Sequence, residues 1–195
     1  MTKEKAAKII RIITVPPVMA LVLFIVLFLL KDNVFKRPMD FAAGVLMLVF
    51  IPILAYPLQM AIPAVKKQGR DGQRKLAFMM SLLSYTGMLV YGILAEVNRN
   101  MLVICLTYFF TVFILTVFNK LLHIKASGHA ASCTSPLLFF MYYFSWPFFI
   151  PCIIIFLMIL WASLVTGRHT CKEFLTGAAI CIISFTVSLG IICLL

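Results

Sequence analysis

Charge is scarce in this sequence. Asp, Glu, Lys and Arg make up 12% of its 195 residues, against about 25% in an ordinary soluble domain, which excludes a freely soluble globular fold. Long polar stretches are lacking too, so no separate soluble domain fits between the apolar runs. The six cysteines (Cys105, Cys133, Cys152, Cys171, Cys181, Cys193) show no Cys-x-x-Cys spacing and lie mostly inside apolar runs. They read as small buried hydrophobes, and neither a disulfide framework nor a zinc site is expected. The first apolar stretch follows Lys3, Lys5, Lys8 and Arg11 as in a signal peptide, but Lys31-Asp32-Asn33-Val34-Phe35-Lys36-Arg37-Pro38 comes after it with no small-residue cleavage site. A retained first helix is expected.

What is abundant is hydrophobicity, at 64% of residues with a mean hydropathy of +1.11. Apolar runs of about the 20 residues that cross a bilayer fall at about 13–30, 41–65, 76–97, 101–122, 129–145, 148–166 and 174–195. The fold class expected is all-α, a polytopic transmembrane bundle of six to seven spans forming one membrane domain over residues 1–195. Only Ser145-Trp146-Pro147 separates the fifth run from the sixth, and Pro136 and Pro151 lie close by, so either run is a candidate for a short or broken span.

The formal net charge of +11 does not point to nucleic acid, because the basic residues sit in the connections between runs, where membrane orientation accounts for them. With a cytoplasmic N-terminus, one side receives Lys3, Lys5, Lys8, Arg11, Lys66, Lys67, Arg70, Arg74, Lys75, Lys120, Lys125, Arg168 and Lys172. The other holds Lys31, Lys36, Arg37 and Arg99. The positive-inside rule therefore predicts that the N-terminus and the polar stretches around residues 125–132 and 168–173 face the cytoplasm, and an integral protein of a bacterial-type plasma membrane is expected. Glu96 reads as a helix-end charge and His123 as an interfacial residue. Trp146, Trp161 and the Tyr142-Tyr143 pair read as an aromatic belt.

Two polar islands interrupt the second half of the chain. The first, Lys125-Ala126-Ser127-Gly128-His129-Ala130-Ala131-Ser132, reads as a phosphate site: Lys125 brings charge, and Ser127 and Gly128 let backbone N–H groups close on an anion at a helix start. The second carries His169 and Glu173, four apart and so on one helical face. Two imidazoles and a carboxylate suit phosphoryl transfer, one imidazole attacking phosphorus, the carboxylate orienting it and the other imidazole protonating the leaving oxygen. No metal or other cofactor is expected. In the loop 66–75, Arg70 and Arg74 are either topogenic charges or a clamp over the phosphate.

The segment Lys125-Ala126-Ser127-Gly128-His129-Ala130-Ala131 resembles the P-S-G-H-A motif of the type-2 phosphatidic acid phosphatase superfamily, membrane lipid phosphatases related to vanadium haloperoxidases. The segment from Ala162 through His169 and Glu173 to Gly177 and Ala178 resembles that family's S-R-x5-H-x3-D motif with the glycine that follows it. The resemblance covers about the last 75 residues. It implies a phosphatase-like helical core over about 120–195, with His169 as nucleophile, Glu173 in the aspartate position, His129 as general acid, and Ser127 and Gly128 cradling phosphate. The motif arginine falls on Ser163, the proline before Ser127 is Ala126, and no K-x6-R-P motif precedes Lys125. Lys125, Arg168, Arg70 and Arg74 are the substitutes at hand. The function these readings imply is hydrolysis of a phosphomonoester or diphosphate on a membrane lipid or polyprenyl substrate through a phosphohistidine. The other readings are a non-catalytic relative that binds or moves anionic lipid phosphates, and an unrelated small transporter or assembly protein.

Overall fold

The computed structural model describes residues 2–194, the side chain of Arg70 excepted. The described residues are helical almost throughout and contain no strand. Helix α1 (Lys3–Ile13) meets α2 (Pro16–Leu30) at a 50° bend, where Pro16 starts α2 with its preset φ. Next come α3 (Pro38–Val45) and α4 (Ile51–Ala61), joined by a π-helical turn over Leu46–Phe50 just before Pro52. The apolar run does not continue unbroken to residue 65. Ile62, ahead of Pro63, is extended (φ −95°, ψ 107°), as the ring of a following proline requires, and the short α5 (Pro63–Lys67) starts there.

Helices α6 (Gly69–Leu94), α7 (Arg99–Thr116), α8 (Gly128–Phe144), α9 (Trp146–Val165) and α10 (Cys171–Leu194) complete the bundle. Five helical segments among the described residues are long and apolar enough to cross a membrane, and the bent α1–α2 pair would make a sixth. This is the build of an integral membrane protein. The 129–145 run forms α8, whose 17 residues make it shorter than those five. Pro136 and Pro151 break neither helix: α8 and α9 run through them and reverse at Ser145, which has a φ of 59°.

The helices share two ends. At one, Lys36 and Arg37 donate to the carbonyls of Glu96 and Ala95, Asn100 to that of Asn33, and Tyr143 to that of Asn100. At the other, Arg11 donates to Thr166 Oγ1 and the Ser127 amide to the Glu173 carbonyl. The 26 residues of α6 separate these ends by about 39 Å. Lys31 to Pro38 thus lies at the end away from Ser127 and His169.

Two layers of packing position the second end. Leu115, Ala126, Ala131, Ile180 and Cys181 are buried together between α7, α8 and α10, while Ala130, Cys133, Ile159 and Phe174 join α8, α9 and α10. Small residues on α8 and α10 let the backbones approach closely, which is what holds helices together where lipid is as apolar as leucine. Of the six cysteines, four are buried and none is disulfide-bonded, but Cys171 and Cys193 are exposed, at the two ends of α10.

Candidate functional site

The second polar island is a turn between two caps. Helix α9 ends at Thr166 with Gly167 at φ 59°; the Gly167 amide donates to Leu164 O and the Arg168 amide to Ser163 O. That pair of bonds is a Schellman closure, and glycine is the residue that adopts its left-handed position without strain. Two residues on, Thr170 Oγ1 accepts from the Glu173 amide (3.2 Å) and Glu173 Oε2 accepts from the Thr170 amide (3.1 Å). This is a reciprocal capping box at the start of α10. Arg168 and His169 are the residues left between the caps, so their backbone is fixed from both sides.

The capping carboxylate has a second neighbour. Glu173 Oε2 lies 3.6 Å from His169 Nδ1, with 14% of the His169 side chain exposed and 23% of the Glu173 side chain. The pair is within ion-pair range and still reachable from water. Burial, and after it the Arg74 guanidinium, lower the His169 pKa below its ordinary value of 6.5; Glu173 opposes this and Arg11 adds to it. Desolvation and a like charge both penalise the imidazolium, so His169 is held toward its neutral form.

The first island is docked onto the second. Ser127 is buried, its Oγ accepts from the Ala130 amide to cap α8, and its own amide donates 2.9 Å to the Glu173 carbonyl. Gly177 makes this contact possible, because a Cβ there would run into the Ser127 backbone carbonyl. Ahead of Ser127, Asn119 closes the connection: its Oδ1 accepts from the Ala126 amide (3.1 Å) and its Nδ2 donates to the carbonyls of Ala126 (3.2 Å) and Leu115 (3.0 Å). Asn119 sits in a π-helical turn, Val117–Leu121, at the end of α7. Such turns shift the register of a helix by a residue and recur at functional sites.

These elements enclose a cavity of about 310 Å³ lined by Asp71, Arg74, Asn119, Lys125, Ala126, Arg168, His169 and Glu173. Arg74 comes from α6, Lys125 from the α7–α8 connection and Arg168 from the capped turn, so three cations reach one space from three parts of the chain. Among the described residues no group of three or more His, Cys, Asp or Glu side chains could hold a metal ion. Positive charge on the cavity wall comes from the three basic side chains, set against Asp71 and Glu173.

Of the residues singled out in the sequence, the cavity brings together His169, Glu173, Lys125, Arg168 and Arg74. Ser127 and Gly128 stand behind the wall: the Ser127 amide and hydroxyl are both committed to protein partners. His129 is close enough to His169 and Arg11 to interact with them electrostatically, but it does not line the cavity, and its Nε2 lies 3.8 Å from Cys133 Sγ. Ser163, which the resemblance set against the motif arginine, is fully buried in α9. The side chain of Arg70 lies outside the described residues. Asn119, Asp71 and Arg11 were not singled out, though Asn119 was visible as a polar residue inside an apolar run, the kind that in a membrane faces the protein interior.

No family model matches the chain, and neither the curated proteins nor the solved structures contain a match to it.

Proposed function

We propose that this protein hydrolyses a phosphomonoester or diphosphate on a membrane lipid, with His169 as the nucleophile. One observation carries the reading: the His169–Glu173 pair opens on a cavity that also receives Arg74, Lys125 and Arg168. Because the carboxylate faces Nδ1, it favours the tautomer protonated there and leaves the Nε2 lone pair for phosphorus. In the first step Nε2 forms a bond to phosphorus as the phosphorus–oxygen ester bond breaks, and the departing oxygen takes a proton. In the second, water attacks the phosphohistidine, the phosphorus–nitrogen bond breaks, and the water proton goes to a base.

His129 is the donor and then the base in this scheme; burial, with Arg11 and His169 nearby, lowers its pKa to about 4, so it takes up the proton it donates as the anionic substrate binds. Its Nε2 faces Cys133, so the ring has to turn toward the cavity when substrate binds, and contacts of this kind commonly tighten only in the loaded site. The three cations neutralise the non-bridging oxygens of the transition state, and no step calls for a metal. The core is read as similar to that of the type-2 phosphatidic acid phosphatases. Phosphatidic acid, phosphatidylglycerol phosphate and a polyprenyl diphosphate all suit a basic pocket at the end of an apolar bundle. We read the site as cytoplasmic, a reading that the excess of Lys and Arg at its end of the bundle supports.

A second reading keeps the site and drops the chemistry, giving a protein that binds or moves anionic lipid phosphates. It is favoured by Ser163, a buried serine where the motif that this segment resembles carries an arginine, and by the structural work that Glu173 does as a cap. Assaying the purified protein on lipid phosphates with and without His169 separates the two: turnover that depends on His169 supports hydrolysis, and tight binding without turnover supports the second reading.

A further inference from the structure

Hydroxyl groups inside this bundle are mostly satisfied within their own helix. Thr107, Thr134, Ser184 and Ser188 each donate to the carbonyl four residues back, which is how polar side chains are tolerated where no bulk water reaches. Tyr108 Oη and Thr111 Oγ1 differ. They sit one turn apart on α7 and are 2% and 3% exposed; Tyr108 Oη has no hydrogen-bond partner among the described residues, and Thr111 Oγ1 has only the weakly bonding Cys181 thiol beside it.

Both point into one place. The Tyr108 ring packs edge-on against Tyr85 of α6, with centroids 5.2 Å apart, and stacks 6.5 Å from Phe139 of α8. Cys181 of α10 is a neighbour of both orphan groups, and its Sγ lies 3.0 Å from Ser135 Oγ of α8. Four helices therefore bring Tyr85, Tyr108, Thr111, Ser135 and Cys181 together. The cluster lies beneath the cavity, since Thr111 is eight residues from Asn119 and Cys181 eight from Glu173, or about 12 Å along each helix.

We propose that Tyr108 and Thr111 hold buried water between α6, α7, α8 and α10. A buried hydroxyl without a partner is costly, and more so where lipid surrounds the protein. Buried water typically makes about three hydrogen bonds to otherwise unsatisfied groups. Here Tyr108 and Thr111 provide two, and Cys181 or Ser135 completes the set. A dry apolar pocket would show none of these groups. The site is independent of the phosphatase reading.

The sign of a stability change tests this. With water bound, Tyr108→Phe and Thr111→Val each remove one of its partners and lower the melting temperature of the purified protein by about 2–4 °C, and the double variant loses less than the sum. If the hydroxyls are dry, removing either leaves the melting temperature unchanged or raises it, which overturns the proposal. Radiolytic footprinting of the unmodified protein gives a second test that needs no variant to fold. Water at the cluster yields oxidised Tyr108, Tyr85 or Cys181 despite their burial, and no modification there also overturns it.

Discussion

The Ser127 amide donates to the Glu173 carbonyl at 2.9 Å, joining the polar island that starts α8 to the one that starts α10. Gly177, one turn further along α10, leaves the room this needs. Gly177→Ala puts a methyl group against the Ser127 carbonyl and forces the two helices apart. Overpacking of this kind costs about 1–3 kcal/mol. A thermal melt of the purified variant is expected to shift down by about 2–4 °C for each kcal/mol; an unchanged melt would mean the helices separate freely at this point.

Asn119→Ala removes the hydrogen bonds that hold both the amide and the carbonyl of Ala126. Leaving those groups unpaired costs about 1–3 kcal/mol. The connection carrying Lys125 loosens with them. Affinity for a lipid phosphate, measured by titration into the detergent-solubilised protein, is expected to fall together with stability. Retained affinity at reduced stability would limit Asn119 to folding.

Glu173→Gln separates the cap from the charge. A glutamine oxygen can still accept from the Thr170 amide, as capping boxes use Glu and Gln alike. The melting temperature is expected to stay within a degree or two while phosphate release falls, because the neutral amide no longer stabilises a positive His169. A large loss of stability would mark Glu173 as structural only.

The acid side of the pH profile reports on His169. Its pKa is lowered by burial first and then by Arg74, so the nucleophile stays neutral to a pH below its ordinary value of 6.5. The activity limb on kcat/KM is therefore expected below pH 6.5. Arg74→Gln removes one lowering influence and moves the limb up, whereas Glu173→Gln removes a raising influence and moves it down. For stability the sign follows from linkage: between the folded and unfolded pKa values the unfolded chain binds more protons, so the contribution of His169 to stability falls as pH drops below 6.5 and is constant above it. A limb that stays in place in both variants would remove His169 as the titrating group.

Much of the scaffold was legible because bilayer thickness fixes the length of an apolar run. The runs at 76–97, 101–122, 148–166 and 174–195 correspond to α6, α7, α9 and α10. Where prolines intervened, the boundaries moved, as at Ile62-Pro63, and the 129–145 run gave a helix shorter than the others. Polar spacing and the family resemblance together brought His169, Glu173, Lys125, Arg168 and Arg74 forward, and these line one cavity, whereas His129, Ser127 and Gly128 of the same reading do not. Thr170-Cys171-Lys172-Glu173 also carries a capping-box pattern that the His–Glu spacing overshadowed. What was beyond reach is the direction in which Asn119 points, since it depends on a π-helical turn that leaves no periodic trace. So was the use of the Ser127 amide, because a backbone bond between two helices is a product of their packing.

Phosphate release tests the central claim most directly. The purified protein is given phosphatidic acid, phosphatidylglycerol phosphate and a polyprenyl diphosphate with EDTA present, beside His169→Ala and His129→Ala. Turnover of at least one substrate is expected to survive chelation, to vanish with His169→Ala since the covalent step is lost, and to fall about 10²–10⁴-fold with His129→Ala. Full activity in His169→Ala, or no turnover of any substrate by a protein that still binds labelled lipid phosphate, would contradict it.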